Sequence, residues 1–177
     1  QQGLQPLIFD LDADKPDLPQ HRQVLVRGRI DRLDALKLAD KTFLGIVDYK
    51  SSEHQFNYAN AYYGQAMQML TYLDAVKRNL SQLVDQEEAP STELAGAVYL
   101  HLQNPILKAA DVAGQDPLTA LLKAEQYQGL LLNDLDFLDH IEEWFKGSKY
   151  SQLFRGLRKT AKGYSSDKLV TPGELED

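Results

Sequence analysis

Two apolar runs and the short turn between them constrain this chain more than any other feature. Residues 23–36, QVLVRGRIDRLDAL, and residues 43–51, FLGIVDYKS, both read as strands, and the turn-forming KLADKT (37–42) separates them. Strands joined so closely pair antiparallel, and the turn fixes their register. With Leu36 opposite Phe43, Asp31 falls opposite Asp48. Directly opposed residues share a face, with Cβ atoms about 5 Å apart. Two carboxylates held that close repel each other unless a cation lies between them.

Lys50 follows Asp48 by two, so in a strand it shares that face. Hard oxygen ligands favour Mg²⁺ or Mn²⁺, and Mg²⁺ commonly takes one or two carboxylates plus water and phosphate oxygens. A lysine beside such a site suits a developing phosphate oxyanion or an attacking hydroxide. Together these groups predict a metal-dependent phosphodiester hydrolase. Taken without Asp31, Asp48 and Lys50 read equally as a strand-end ion pair.

The rest of the chain supplies an α/β frame. PLIFDLD (6–12) reads as a first strand. From Tyr58 to Asn79 apolar and small residues recur at three- and four-residue steps, which predicts a helix with Asn57 as its cap. QEEAPSTE (86–93) reads as a linker and LAGAVYLHLQ (94–103) as a fourth strand. Two helices are expected from about Leu118 to Asn133 and from Asp134 to Lys146. The tail suggests a hairpin and a helix start at TPGELED. Three strands, a helix and a strand indicate a mixed sheet. Residues 1–110 are expected to form the core, and 111–177 a helical extension of the same domain.

The chain has 177 residues, a net charge of −7 and no cysteine. It therefore has no disulfide, thiolate zinc site or iron–sulfur ligand of its own, which suits a cytoplasmic protein. No run has the length and apolarity of a membrane span, so no membrane partner is expected. The acidic balance argues against indiscriminate coating of nucleic acid. Basic residues nevertheless concentrate at 149–168, where Arg155, Arg158, Lys159 and Lys162 form either a solvated face or contacts to a phosphate backbone. The sequence begins without Met and stops on what reads as a helix start, as a piece of a larger protein would.

GRIDRLD (28–34), GIVDYKSS (45–52) and YYGQAMQMLTYLDAV (62–76), in that order and spacing, resemble the PD-(D/E)XK nuclease domain of the RecB family. The GRIDR form is most similar to the C-terminal nuclease domain of AddB/RexB subunits of bacterial ATP-dependent helicase–nucleases. The resemblance implies a restriction-endonuclease-like α/β core with a mixed sheet flanked by helices, plus C-terminal helices. It implies that Asp31 and Asp48 bind metal with the Tyr49 backbone carbonyl, and that Lys50 stabilises charge. Gln68 and Tyr72 match the family's Gln-x-x-x-Tyr motif, and their spacing places them on one helix face. Mg²⁺ is the implied cofactor, with Mn²⁺ as an alternative. DNA and an AddA/RexA-like helicase subunit are the implied partners, and processing of double-strand breaks is the implied setting.

Two departures accompany the likeness. The family carries a metal-binding His or Glu on an upstream helix, which residues before Leu7 cannot supply; His21, in a loop, substitutes poorly. The cysteines that hold an iron–sulfur cluster in many AddB proteins are absent from this chain. A non-catalytic scaffold that docks DNA or a partner subunit, and another RecB-family exonuclease such as a Cas4-like enzyme, are the rival readings. LIFDLDAD (7–14) imitates the Asp-x-Asp nucleophile of haloacid-dehalogenase phosphatases, but Asp14 stands where a Thr is needed. DLDADKPD resembles an EF-hand start, with Lys15 in place of the required Gly. Both stretches read better as an acidic strand end and loop. Trp144 and Phe145 align with Phe137, Leu138 and Ile141 and are expected in a core or interface. His54, His101 and His140 lack metal-ligand spacing.

Overall fold

A computed structural model describes residues 5–50, 67–84, 91–102, 107, 109–141, 149–172 and 174. The expected Asn57 cap, the helix before Met67, His54, Trp144 and Phe145 lie outside the described residues. A five-stranded sheet organises the fold. Its order is β3 (Arg32–Lys37), β4 (Thr42–Lys50), β5 (Thr92–His101), β6 (Gln128–Leu132) and β9 (Leu169–Val170). β3 and β4 are antiparallel, β4 and β5 parallel, β5 and β6 antiparallel, and β6 and β9 parallel. The sheet is therefore mixed, as expected. Helix α1 (Met67–Arg78) lies in the crossover that the parallel β4–β5 pair requires.

The hairpin register is the one read from the sequence: Leu36 pairs with Phe43 and Arg32 with Val47. The long strand expected over 23–36 is instead two. β2 (Gln23–Val26) pairs with β1 (Leu7–Asp10) as a separate ribbon, and the chain re-enters pairing only at Arg32. Gly28 marks the crossing point. A Cβ built there would stand 3.1 Å from Cε1 of Tyr72, so the backbone passes directly over that ring.

The expected helix over 118–133 is corrected in its second half. Helix α4 (Pro117–Ala124), capped by the Asp116 carboxylate accepting from Thr119 N–H, gives way to strand β6. The QGLLL run is buried on both faces of the sheet, so it carries no alternation to separate strand from helix. Residues 111–177 thus add helix α4 and helix α5 (Leu135–Ile141), and also two strands of the central sheet. The expected tail hairpin is β7 (Arg158–Thr160) with β8 (Gly163–Ser165). Thr171 and Glu174 form a capping box, with Thr171 N–H donating to Oε2 at 2.7 Å. Short helices α2 (Leu80–Leu83) and α3 (Ala109–Val112) complete the described elements.

The sheet has an apolar cluster on each face. Leu44, Ile46, Ala97 and Tyr99 pack with Met69, Tyr72, Leu73 and Val76 of α1. Phe43, Val47, Val98 and Leu131 pack with Phe137 and Leu138 of α5 on the other side. A bulge between Leu44 and Gly45 shifts the β4–β5 register. Gly96 opposite it has φ of 125°, and a Cβ there would fall 2.1 Å from the Leu130 carbonyl oxygen, so only glycine fits. Beyond the bulge, Asp48 pairs with Tyr99 and Lys50 with His101.

Candidate active site

Polar side chains collect at the C-terminal ends of β4 and β5, on the α1 face. Strand β4 is apolar and buried through Val47, then turns polar at Asp48, which keeps only 2% of its surface exposed. The Lys50 ammonium lies 2.6 Å from Asp48 Oδ2. That approach is an ion-pair contact outside hydrogen-bond geometry, so Oδ2 is a buried acceptor without a hydrogen bond. Lys50 instead donates to Gln68 Oε1 at 2.6 Å, and Gln68 Nε2 donates to the Tyr72 hydroxyl at 2.8 Å. The i, i+4 spacing of Gln68 and Tyr72 on α1 makes this relay local. Tyr72 is buried under Gly28. Four of the five predicted site residues thus form one continuous chain of contacts.

Asp31 is placed just beyond the β3–β4 ladder, one step past Arg32↔Val47, where the same register leads to Asp48. Its Oδ2 accepts the Tyr49 backbone N–H at 3.0 Å. The Lys50 carbonyl accepts from Leu102 N–H on the β5 side. Because successive carbonyls in a strand face opposite edges, the Tyr49 carbonyl faces the Asp31 edge. Two carboxylates and one backbone carbonyl therefore border the end of β4. Among the described residues no three His, Cys, Asp or Glu side chains cluster as metal ligands. The orphaned Asp48 Oδ2 and the hard-oxygen donor set fit a small divalent cation with open positions.

Tyr99 and His101 belong to this site and were not singled out from sequence. Lys50 Nζ lies 5.4 Å from the Tyr99 ring centroid. Burial, reinforced by the Asp48 charge, pushes the Tyr99 hydroxyl up to about 12. His101 Nε2 is buried without a hydrogen-bond partner, so this histidine is not the satisfied sheet residue that its sequence context suggests. Only the parallel register of β4 and β5 brings both to the site, and that pairing spans about fifty residues of chain.

The basic segment stands on the α5 face, apart from this relay. Arg155, Arg158, Lys159 and Lys162 are all exposed, on or just before the β7–β8 hairpin. Lys159 is engaged by Asp139 at 3.0 Å, while Arg155 N–H donates to the Tyr127 carbonyl at the start of β6. The acidic loop after β1 is a structural lock: Asp12 is gripped by Arg22 at 2.7 and 2.8 Å, and Asp10 by His21 at 2.5 Å. His21 thus sits apart from the β4 carboxylates. His140 Nδ1 is held by the Asp136 carbonyl.

Comparison with known proteins agrees with this geometry. Residues 1–165 match the family model of the PD-(D/E)XK nuclease superfamily. The chain is 61% identical over 178 residues to a Levilactobacillus brevis protein named as a subunit of an ATP-dependent helicase/deoxyribonuclease, covering 99% of this chain and 14% of that protein. It is 47% identical to the protein of the same name from Lactiplantibacillus plantarum, over 98% of this chain and 14% of the relative. For the Enterococcus faecalis protein of that name the identity is 43%, over 90% of this chain and 13% of the relative. The chain spans about one seventh of the length of these relatives. Among the described residues, no helix is long and apolar enough to cross a membrane. The family match over nearly the whole chain, on a fold with paired acidic positions and a lysine at the end of a central strand, identifies this chain as a member of the PD-(D/E)XK nuclease superfamily.

Proposed function

We propose that this chain is the nuclease domain of an AddB/RexB-like helicase–nuclease subunit and hydrolyses DNA phosphodiester bonds with Mg²⁺ or Mn²⁺. The observation that carries the reading is the relay from Asp48 through Lys50 and Gln68 to Tyr72, beside Asp31 on the Tyr49 amide. Asp31, Asp48 and the Tyr49 carbonyl would hold the cation. A divalent ion bound there supplies Lewis-acid activation of water and neutralises charge on the phosphate. Lys50, fixed by Gln68, offers a positive charge where negative charge develops on the phosphoryl oxygens. Tyr72 fixes Gln68 in turn, so the ammonium is held in place before substrate arrives.

Arg155, Arg158, Lys159 and Lys162 are proposed to follow the phosphate backbone, with Lys159 the weakest contributor because Asp139 already engages it. The relatives' names support a setting in a cytoplasmic complex with an AddA/RexA-like helicase subunit. There the domain degrades a strand exonucleolytically during break repair. An Asp31–Asp48 pairing in a non-catalytic scaffold would cost stability without return, which favours catalysis over docking alone.

The test is single-stranded DNA cleavage by the complete polypeptide across a Mg²⁺ and Mn²⁺ titration, with Asp48→Ala and Asp31→Ala alongside. Metal-dependent cleavage lost in both variants is expected. Neither metal binding nor cleavage in the unsubstituted protein would leave only the scaffold reading.

A further inference from the structure

We propose that Arg32 is a positioning residue that anchors the Tyr49 end of β4 from the opposite face of the sheet, an inference that rests on the metal-site reading above. Backbone pairing between β3 and β4 stops at Arg32↔Val47. Residues 48–50 therefore have a ladder only on the β5 side, through Tyr99, Leu100 and His101. Two consecutive side chains replace the missing ladder on the β3 side. Asp31 accepts the Tyr49 N–H, and Arg32 Nη1 donates to the Tyr49 hydroxyl at 2.8 Å.

The guanidinium also lies 5.7 Å from the Tyr49 ring centroid, donates through Nη2 to the Tyr127 hydroxyl at 3.2 Å, and pairs with Asp34 at 3.0 Å. Its Nε is buried without a hydrogen bond. The planar fork thus spans two tyrosines from different strands, which an ammonium on a flexible stem does not reproduce. Tyr127 N–H and carbonyl are in turn bonded to Leu153 and Arg155 of the basic segment. Arg32 consequently links the backbone that would present a carbonyl to the cation with the segment proposed to contact DNA. Groups that orient metal ligands from outside typically change affinity about 10–100-fold when removed.

The experiment compares Arg32→Met, Arg32→Lys, Tyr49→Phe and the Arg32→Met/Tyr49→Phe double variant in the complete polypeptide, with Asp48→Asn as the control. Two readouts are needed: Mn²⁺ affinity, and amide hydrogen exchange of a peptide spanning residues 46–50 without metal. Arg32→Met and Tyr49→Phe are each expected to weaken Mn²⁺ binding about tenfold and to speed exchange in that peptide. The double variant should be no worse than either single one, and Arg32→Lys should recover only part of the loss. Exchange that quickens equally across residues 92–101 would show a general loss of fold and overturn the positioning role. Mn²⁺ binding that Asp48→Asn abolishes but Arg32→Met leaves unchanged would sink this inference while keeping the functional reading. No Mn²⁺ binding by the unsubstituted protein would remove both.

Discussion

Replacing Lys50 by Met separates the cost of the site from its use. Asp48 is almost fully buried, its Oδ2 has no hydrogen bond, and the Lys50 ammonium stands beside it at 2.6 Å. Removing one partner of a wholly buried pair costs about 3–5 kcal/mol, because the remaining charge is stranded. The Lys50 side chain keeps 19% of its surface exposed, so water screens part of this interaction. An expected loss of about 2–3 kcal/mol follows. The loss should shrink in the double variant Lys50→Met/Asp48→Leu, since neither charge is then left alone. It should also shrink when Mn²⁺ is added to Lys50→Met, because the metal takes the place of the ammonium beside Asp48. Saturation at about 100 times the dissociation constant contributes about 2.7 kcal/mol. The assay is urea unfolding of the three proteins with and without Mn²⁺, followed by circular dichroism. A Lys50→Met variant as stable as the parent, within about 0.5 kcal/mol, would refute the stranded-charge argument. A double variant as unstable as Lys50→Met would do the same, by tracing the loss to packing.

Gly28→Ala sets a methyl 3.1 Å from the Tyr72 ring and should cost about 1 kcal/mol while slowing cleavage, measured by thermal unfolding beside single-turnover kinetics. The raised Tyr99 hydroxyl predicts a pH effect with a definite sign. Its contribution is complete below pH 10 and is lost as pH rises towards 12, an effect of up to about 3 kcal/mol. Unfolding curves of the parent minus Tyr99→Phe across that range should show the loss, and a flat difference would contradict it. Neutralising Arg155, Arg158 and Lys162 together should lower the salt slope of single-stranded DNA binding by about 2, at about 0.7 per phosphate contact. An unchanged slope in fluorescence anisotropy titrations would mean that these side chains only solvate the hairpin.

Legibility follows the reach of each interaction along the chain. The β3–β4 register is readable because a short turn joins the strands and one misstep would turn Ile46 and Asp48 to the wrong face. Gln68 and Tyr72 are readable as neighbours because helix geometry sets them one turn apart. Strand β6 is not, since an apolar run of five buried on both sides fits either helix or strand. Gly28 carries a visible signal, a glycine inside a strand-like run. Its partner Tyr72, however, lies 44 positions on and is found only in the fold. Tyr127 bonding Arg32 across 95 positions has no sequence signal of any kind.

The end of the β3 ladder explains why the polar site sits where it does. Through Val47, β4 is bordered by a strand on each side and buried by helices on both faces, so nearly every side chain there is apolar or small. From Asp48 onward one bordering strand has ended, and the backbone on that edge needs new partners. Asp31 and Arg32 supply them with side chains, at the point where the opposed register also brings the acidic pair together. A ladder continued for two more residues would satisfy Tyr49 N–H with a backbone carbonyl and occupy the edge on which its own carbonyl is presented. The early end of β3 is therefore a requirement of the site. Extending regular pairing there would stabilise the sheet and remove the opening into which Asp31 and Tyr49 face.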